Sequence, residues 1–319
     1  MSVSFLTPIA GLVAFAVILP LVAFVRSEAR AAEVRQLLRL APPGGSRRET
    51  IAVLVALAVL AGLGAAQPVL EQTREHPMRT DVQAFFLFDT SRSMLASAGP
   101  GEPTRFERAR EAGTEVRSAL GDVPVGIASL TDRVLPFVFP SPNPDTFDRV
   151  MRYSIGVDRP PAREGGNAQV STLDATGVMA ERYFFRGAQR RLAVIFTDAE
   201  SRAIHPETLS RLFAEQNIST VLIRVGNDRE RIYSAGGGQE PYRPAGGAAA
   251  TAQAYAQAVG GQAFDEDHVQ DAISAADEIV GTGRSRMRVE ASDVQPLGPY
   301  VFLAALFPLS FLLWRRNLV

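Results

Sequence analysis

The chain of 319 residues has no cysteine, which excludes disulfides, thiolate zinc sites and cysteine nucleophiles while leaving the redox compartment open. Lysine is absent too. All 33 basic residues are arginine, set against 34 acidic ones, and a formal charge of -1 supplies no global positive field of the kind that marks a nucleic-acid binder. Histidine is scarce: His76, His205 and His268 lie far apart, and each reads as a satisfied surface or core residue. Several enzyme signatures are missing, with no G-x-x-x-x-G-K-[ST] loop, no G-x-S-x-G elbow and no H-E-x-x-H helix. Met1 to Pro8 carries no basic residue, so the positively charged start of a cleaved signal peptide is lacking.

Charge is nearly missing from three stretches, Phe5 to Val25, Ile51 to Leu70 and Leu297 to Trp314. Each is read as a membrane span, because a hydrocarbon core of about 30 Å takes roughly 20 apolar residues at 1.5 Å per residue; the third is the shortest. Arg26, Arg30, Arg35, Arg39, Arg47 and Arg48 follow the first span, and the positive-inside rule assigns that loop to the cytoplasm. Arg315 and Arg316 close the third span, but Arg284, Arg286 and Arg288 precede it, so the parity of spans decides its direction. The expected layout is therefore two transmembrane helices in 1–70 (about 5–25 and 51–70) joined by a basic cytoplasmic loop 26–50. One extracytoplasmic domain follows at 71–296, with its core at about 81–281. A C-terminal transmembrane helix and short cytoplasmic tail complete the chain at 297–319. Within the cytoplasmic loop, Ala32, Val34, Leu37, Leu38 and Leu40 alternate with arginines, consistent with an amphipathic helix on the inner membrane surface or with a plain solvated connector. The Pro42-Pro43-Gly44-Gly45 run ends whatever helix is there.

From Asp81 to Gly281, short apolar runs alternate with helix-period segments, the pattern of an α/β domain with a largely parallel sheet. Strands are expected at Val82 to Phe88, Val123 to Leu130, Arg133 to Phe139, Arg191 to Thr197, Thr220 to Val225 and Gln262 to Phe264. Helices are expected at Thr104 to Leu120, Asp145 to Tyr153, Thr172 to Phe185, Pro206 to Gln216, Ala249 to Val259 and Asp267 to Val280. Only Thr131 and Asp132 separate the second and third strands, so these form a hairpin and one strand runs against the rest. Gly156 to Asn167 and Gly226 to Ala248 are rich in glycine and proline and read as loops. The second leaves the C-terminal end of a strand, where open α/β sheets bind ligands; it is either a lid or a featureless insertion.

The first apolar run, Ala84-Phe85-Phe86-Leu87-Phe88, is followed at once by oxygen-bearing side chains at alternate positions, Asp89, Ser91 and Ser93. Such a D-x-S-x-S loop suits a small, hard cation that takes oxygen ligands and keeps some of its water, as Mg²⁺ does. The plainer reading of Asp89 and Ser91 is an Asx-type turn. A second apolar run, Leu192 to Phe196, also ends in an acid, Asp198. If the two strands are neighbours, Asp89 and Asp198 project at one sheet edge, where the strand order reverses.

On these motifs, residues Asp81 to Gly281 resemble the von Willebrand factor type A (VWA) domain family with its metal-ion-dependent adhesion site. The resemblance implies a three-layer Rossmann-like domain with a mixed, mostly parallel six-stranded sheet. It also implies Mg²⁺, with Mn²⁺ an alternative, at Asp89, Ser91, Ser93 and Asp198. The family's remaining ligand is a Thr before a helix, in a stretch that corresponds to Gly165 through Asp174 here. Aligning Leu173 with the family's aliphatic position selects Ser171, whereas preserving residue type selects Thr172, which is preferred slightly. Two glycines of the family pattern are replaced, by Ala199 after the second acid and by Asp174 on the Ser171 alignment.

The order of two spans, one such domain and a final span resembles the bacterial aerotolerance-type (BatA-like) membrane proteins. That resemblance implies other VWA membrane proteins and a MoxR-type AAA+ ATPase as partners, in the envelope of a bacterial cell. The function expected is that of a non-enzymatic module in the cytoplasmic membrane, binding a protein ligand whose carboxylate completes the Mg²⁺ coordination. One alternative is a Mg²⁺-dependent hydrolase or phosphotransferase, although the second Asp of the aspartyl phosphotransferase pattern is here Ser91. Another is a structural membrane protein with an empty site.

Overall fold

A computed structural model describes residues 2–38, 47–159, 161, 171–185, 187–202 and 204–318. The Pro42-Pro43-Gly44-Gly45 run and most of the loop expected at Gly156 to Asn167 lie outside the described residues. The chain divides into two compact units, Met1–Arg74 with Glu290–Val319, and Glu75–Val289.

In the first unit, strand β1 (Ser2–Phe5) leads into a 3-10 helix (Pro8–Val17) that continues directly as helix α1 (Ile18–Leu37). Arg26 and Arg30 thus lie on the same helix as the apolar run before them. Helix α2 (Arg47–Ala65) packs against the 3-10 helix through small residues: a Cβ on Gly62 would sit 2.7 Å from the Cβ of Ala14. Strand β2 (Pro68–Arg79) leaves this unit for the second. Pro8–Leu37 and Arg48–Ala65 are long and apolar enough to cross a membrane; the third apolar helical stretch, Gly298–Trp314, is shorter.

In the second unit, strand β3 (Val82–Asp89) is buried along nearly its whole length, and its alternate side chains face opposite layers. Phe86 and Phe88 enter one core with helix α3 (Arg105–Ala119), while Phe85 and Leu87 enter the other. Helix α3 begins at a capping box, in which Thr104 N–H donates to Glu107 Oε2 at 2.8 Å and Glu107 N–H donates to Thr104 Oγ1 at 3.2 Å. The chain then builds the hairpin of β4 (Val125–Leu130) and β5 (Val134–Ser141), followed by α4 (Pro144–Tyr153) and α5 (Thr176–Arg182). Strand β6 (Arg190–Thr197), α6 (Pro206–Glu215), β7 (Ile218–Arg224), α7 (Ala248–Ala258), β8 (Gln262–Asp265) and α8 (Val269–Val280) complete the domain. Strand β9 (Ser285–Pro296) returns to the first unit, where helix α9 (Gly298–Leu318) packs on α2.

The sheet order is β5-β4-β3-β6-β7-β8, with only β5 antiparallel to its neighbour, so the expected mixed, mostly parallel six-stranded sheet is the one found. The chain winds outward from β3 in both directions, which makes the C-terminal ends of β3 and β6 the point where strand order reverses. The rings of Phe88 and Phe196 stack there, 4.6 Å apart, and truncating either would cost about 3–5 kcal/mol. Phe88 and Phe196 immediately precede Asp89 and Thr197, so the strand ends that carry the polar side chains are fixed by packing.

Candidate metal centre

Asp89 is the last residue of β3, and its carboxylate organises the loop that follows. Its Oδ1 accepts the Ser91 backbone N–H at 2.9 Å and the Ser91 hydroxyl at 2.6 Å, and its Oδ2 accepts the Thr197 hydroxyl at 2.6 Å. The first of these bonds is the Asx turn of the plainer reading. That turn also brings the Ser91 and Ser93 hydroxyls within 3.0 Å of each other, so turn and ligand cluster are compatible.

Asp198 follows β6 in register. Its Oδ1 accepts Glu200 N–H at 2.9 Å, and its Oδ2 accepts the Arg105 guanidinium at 2.9 Å. Ala199, where the family pattern has glycine, takes the left-handed conformation at φ 59° that glycine adopts freely. Thr197 Oγ1 accepts the Ala199 N–H at 3.0 Å, which ties the β6 turn back to Asp89.

The third loop supplies Ser171, joined by a parallel bridge to Ser201. Ser171 is fully buried, and its Oγ has no hydrogen-bond partner at normal distance. It nevertheless lies close enough to the Asp89 carboxyl to favour the ionised form. Thr172, the next residue, is half-buried and donates its backbone N–H to Thr131 O at 2.8 Å. Asp89, Ser91, Ser93 and Ser171 are 0% exposed and Asp198 is 2% exposed.

Burying two carboxylates this close costs energy. Burial pushes Asp89 above its ordinary carboxylate range against the hydrogen bonds from Ser91 and Thr197. Asp198 is pushed up to about 7, by burial first and by repulsion from Asp89 second, against the attraction of Arg105. Among the described residues no three acidic or histidine side chains cluster as a metal cage, so a cation here would draw on serine hydroxyls as well as the two acids. An oxygen-only donor set with one orphaned hydroxyl fits a hard divalent cation.

Sequence reasoning missed Arg105. It is 2% exposed and donates to Asp198 Oδ2 (2.9 Å), Glu200 Oε1 (2.8 Å), Glu230 Oε2 (2.6 Å), Tyr242 OH (3.0 Å) and Asn227 O (2.9 Å). Burial opposes its charge, but Asp198, Glu200 and Glu230 outweigh burial and raise its pKa. A basic residue at the first position of a helix runs against the helix dipole, and that anomaly was its only sequence signal.

The loop from Gly226 to Ala248 is far from featureless. Ser97 and Arg231 exchange backbone hydrogen bonds at 2.9 and 3.0 Å, and Tyr233 bridges to Gln239. Arg92, within the D-x-S-x-S loop, makes a forked ion pair with Glu240 at 2.8 and 2.7 Å. Tyr242 turns its hydroxyl inward to donate to Glu200 at 2.5 Å, and burial is the main reason its pKa is raised. Gly226, at φ 94°, starts the loop where a Cβ would fall 2.3 Å from Arg105 Nε.

No family model and no curated protein sequence matches the chain. Solved structures do. BatB from Bacteroides thetaiotaomicron matches with a TM-score of 0.51 at 17% identity, over 63% of this chain and 100% of that one. An aerotolerance-related membrane protein from Bacteroides fragilis NCTC 9343 matches with a TM-score of 0.50 at 19% identity, over 62% of this chain and 98% of that one. The SpRpn10 VWA domain matches with a TM-score of 0.41 at 14% identity, over 61% and 94% of the two chains. At such identities the likeness is one of fold, and the fold shared with BatB and the aerotolerance-related protein is the mixed, mostly parallel six-stranded α/β domain described above.

Proposed function

We propose that the chain is a membrane-anchored binding module whose VWA domain takes up Mg²⁺ or Mn²⁺ at Asp89, Ser91, Ser93, Ser171 and Asp198. The observation that carries this reading is a fully buried cluster made only of oxygen donors, Asp89, Ser91, Ser93, Ser171 and Asp198, in which the Ser171 hydroxyl lies against the Asp89 carboxylate without a well-formed hydrogen bond. A buried hydroxyl so poorly satisfied has donor capacity to spare for a further group. The same observation favours Ser171 over Thr172 as the third-loop ligand.

The bound cation would supply Lewis-acid coordination for a partner's carboxylate. Asp89 and Asp198 would bring negative charge to that position, while the serine hydroxyls would add neutral oxygens and leave the centre attractive to an acidic ligand. Stacked Phe88 and Phe196 hold the two strand ends at fixed separation. The helices Pro8–Leu37 and Arg48–Ala65 support anchoring, and the arginines that follow the first apolar run support a cytoplasmic 26–50 and a domain on the other side. By resemblance, another VWA membrane protein and a MoxR-type ATPase are the partner classes to look for.

The test uses the full chain, tagged and solubilised in detergent, as bait for proteins of its own membrane. Partners retained in Mg²⁺, released by EDTA and not retained by Asp89→Asn are expected. Partners held equally with EDTA and by Asp89→Asn would overturn the proposal and move the working surface elsewhere.

A further inference from the structure

We infer that Arg105 is an internal cation that competes with the metal for Asp198 and latches the Gly226 to Ala248 loop closed. The inference rests on the metal reading above and adds a coupling to it.

The starting observation is charge balance. Asp89, Asp198, Glu200 and Glu230 are buried together, and among the described residues their guanidinium partners are Arg105 and Arg108, the second of which is shared with Glu266, so the carboxylates of the network outnumber its cations. A divalent ion at Asp89 and Asp198 would offset much of that excess. Arg105 serves three carboxylates at once, and the same guanidinium nitrogen that holds Asp198 Oδ2 also reaches Glu200 Oε1 and Tyr242 OH.

The second observation is what else Arg105 holds. Asn227 and Glu230 lie at the start of the loop and Tyr242 near its end, so one side chain on helix α3 fastens both ends of the loop to the β6 turn. With the loop in this position the candidate ligands have almost no solvent contact. Opening the loop would admit a partner's carboxylate and a hydrated cation, and it must release Arg105 together with the Arg92–Glu240 pair and the Ser97–Arg231 bridge.

A cation engaging Asp198 would stand a few ångströms from the Arg105 guanidinium. Repulsion between the two, at the low effective dielectric of a buried site, would weaken the hold of Arg105 on Asp198 and through it on Tyr242 and Asn227. Linkage makes the effect reciprocal: whatever loosens the latch tightens metal binding by the same factor. Arg105 is thus a positioning residue, acting on the metal through Asp198 and on the loop through Glu230 and Tyr242.

The experiment measures Mn²⁺ affinity and the hydrogen exchange of the Ser97 and Arg231 amides, which bond across the loop's edge to each other's carbonyls, on the full chain in detergent micelles. Wild type, Arg105→Met, Tyr242→Phe and Asp89→Asn are compared. Tyr242→Phe removes one half-buried hydroxyl and guards against a folding defect in Arg105→Met. The expected results are Mn²⁺ binding by wild type, affinity tightened roughly tenfold in Arg105→Met and by less in Tyr242→Phe, within the usual range for coupled sites. Saturating Mn²⁺ should speed exchange at both amides in wild type, while Arg105→Met exchanges fast with or without it. Unchanged or weakened affinity in both latch variants, or exchange that Mn²⁺ leaves alone or slows, would overturn the latch while leaving the metal site standing. Absence of Mn²⁺ binding by wild type would instead remove the metal reading and the latch with it.

Discussion

Ser171 contributes little to the fold by hydrogen bonding, because its buried hydroxyl makes no well-formed bond beyond its proximity to Asp89. Ser171→Ala should therefore leave the melting temperature of the chain in EDTA nearly unchanged, yet weaken Mn²⁺ binding at least about tenfold, the scale of lost metal-site groups. Thr172→Ala should do little to either quantity. The opposite ranking would return the ligand role to Thr172. Asp89, Ser91, Ser93 and Asp198 were legible as candidates because they fall within a few residues after apolar runs, the first three at alternate positions, so local spacing announced them. Arg105 and Glu230 were not, since they meet across 125 residues and neither sits in a motif. Tyr242 was not legible either, since its inward hydroxyl depends on Glu200, which no local pattern connects to it.

Helix α3 crosses the sheet at Gly113, where a Cβ would lie 2.5 Å from Phe88 Cζ. Gly113→Ala improves intrinsic helix propensity by about 1 kcal/mol, but it drives a methyl into a packed ring that also supports Asp89. The net effect should be destabilisation of about 1–3 kcal/mol, read as a lower urea midpoint. A stabilised variant would mean that α3 and β3 do not pack this closely. The central strands were readable because burial on both faces demands unbroken apolar runs, and the hairpin because Thr131 and Asp132 leave room only for a tight reversal. Strands β2 and β9 escaped notice for the converse reason. Their sequences, VLEQTREHPMR after Pro68 and SRMRVEASDVQP, carry charge throughout and owe their strand form to each other. Helix α5 is shorter than its apolar pattern suggested, with a 3-10 turn at Leu173–Ala175 taking the first residues of the expected helix.

At the scale of the whole chain, the proposed topology follows from where the arginines lie, and a cysteine-free sequence makes it easy to test. Exposed Ser118 in α3 and Ala29 in α1 suit single substitution by cysteine. In intact spheroplasts, an impermeant thiol reagent should label Ser118→Cys at once and Ala29→Cys only after lysis; the reverse pattern would invert the orientation. The central claim, that strand-end acids and serines form a divalent-cation site, is tested most directly by titrating the full chain with Mn²⁺ and following free Mn²⁺ by electron paramagnetic resonance. The account predicts one Mn²⁺ bound per wild-type chain, displaced by excess Mg²⁺, and none bound by a folded Asp89→Asn variant. Saturable binding that survives Asp89→Asn, or no binding by the wild type, would contradict it.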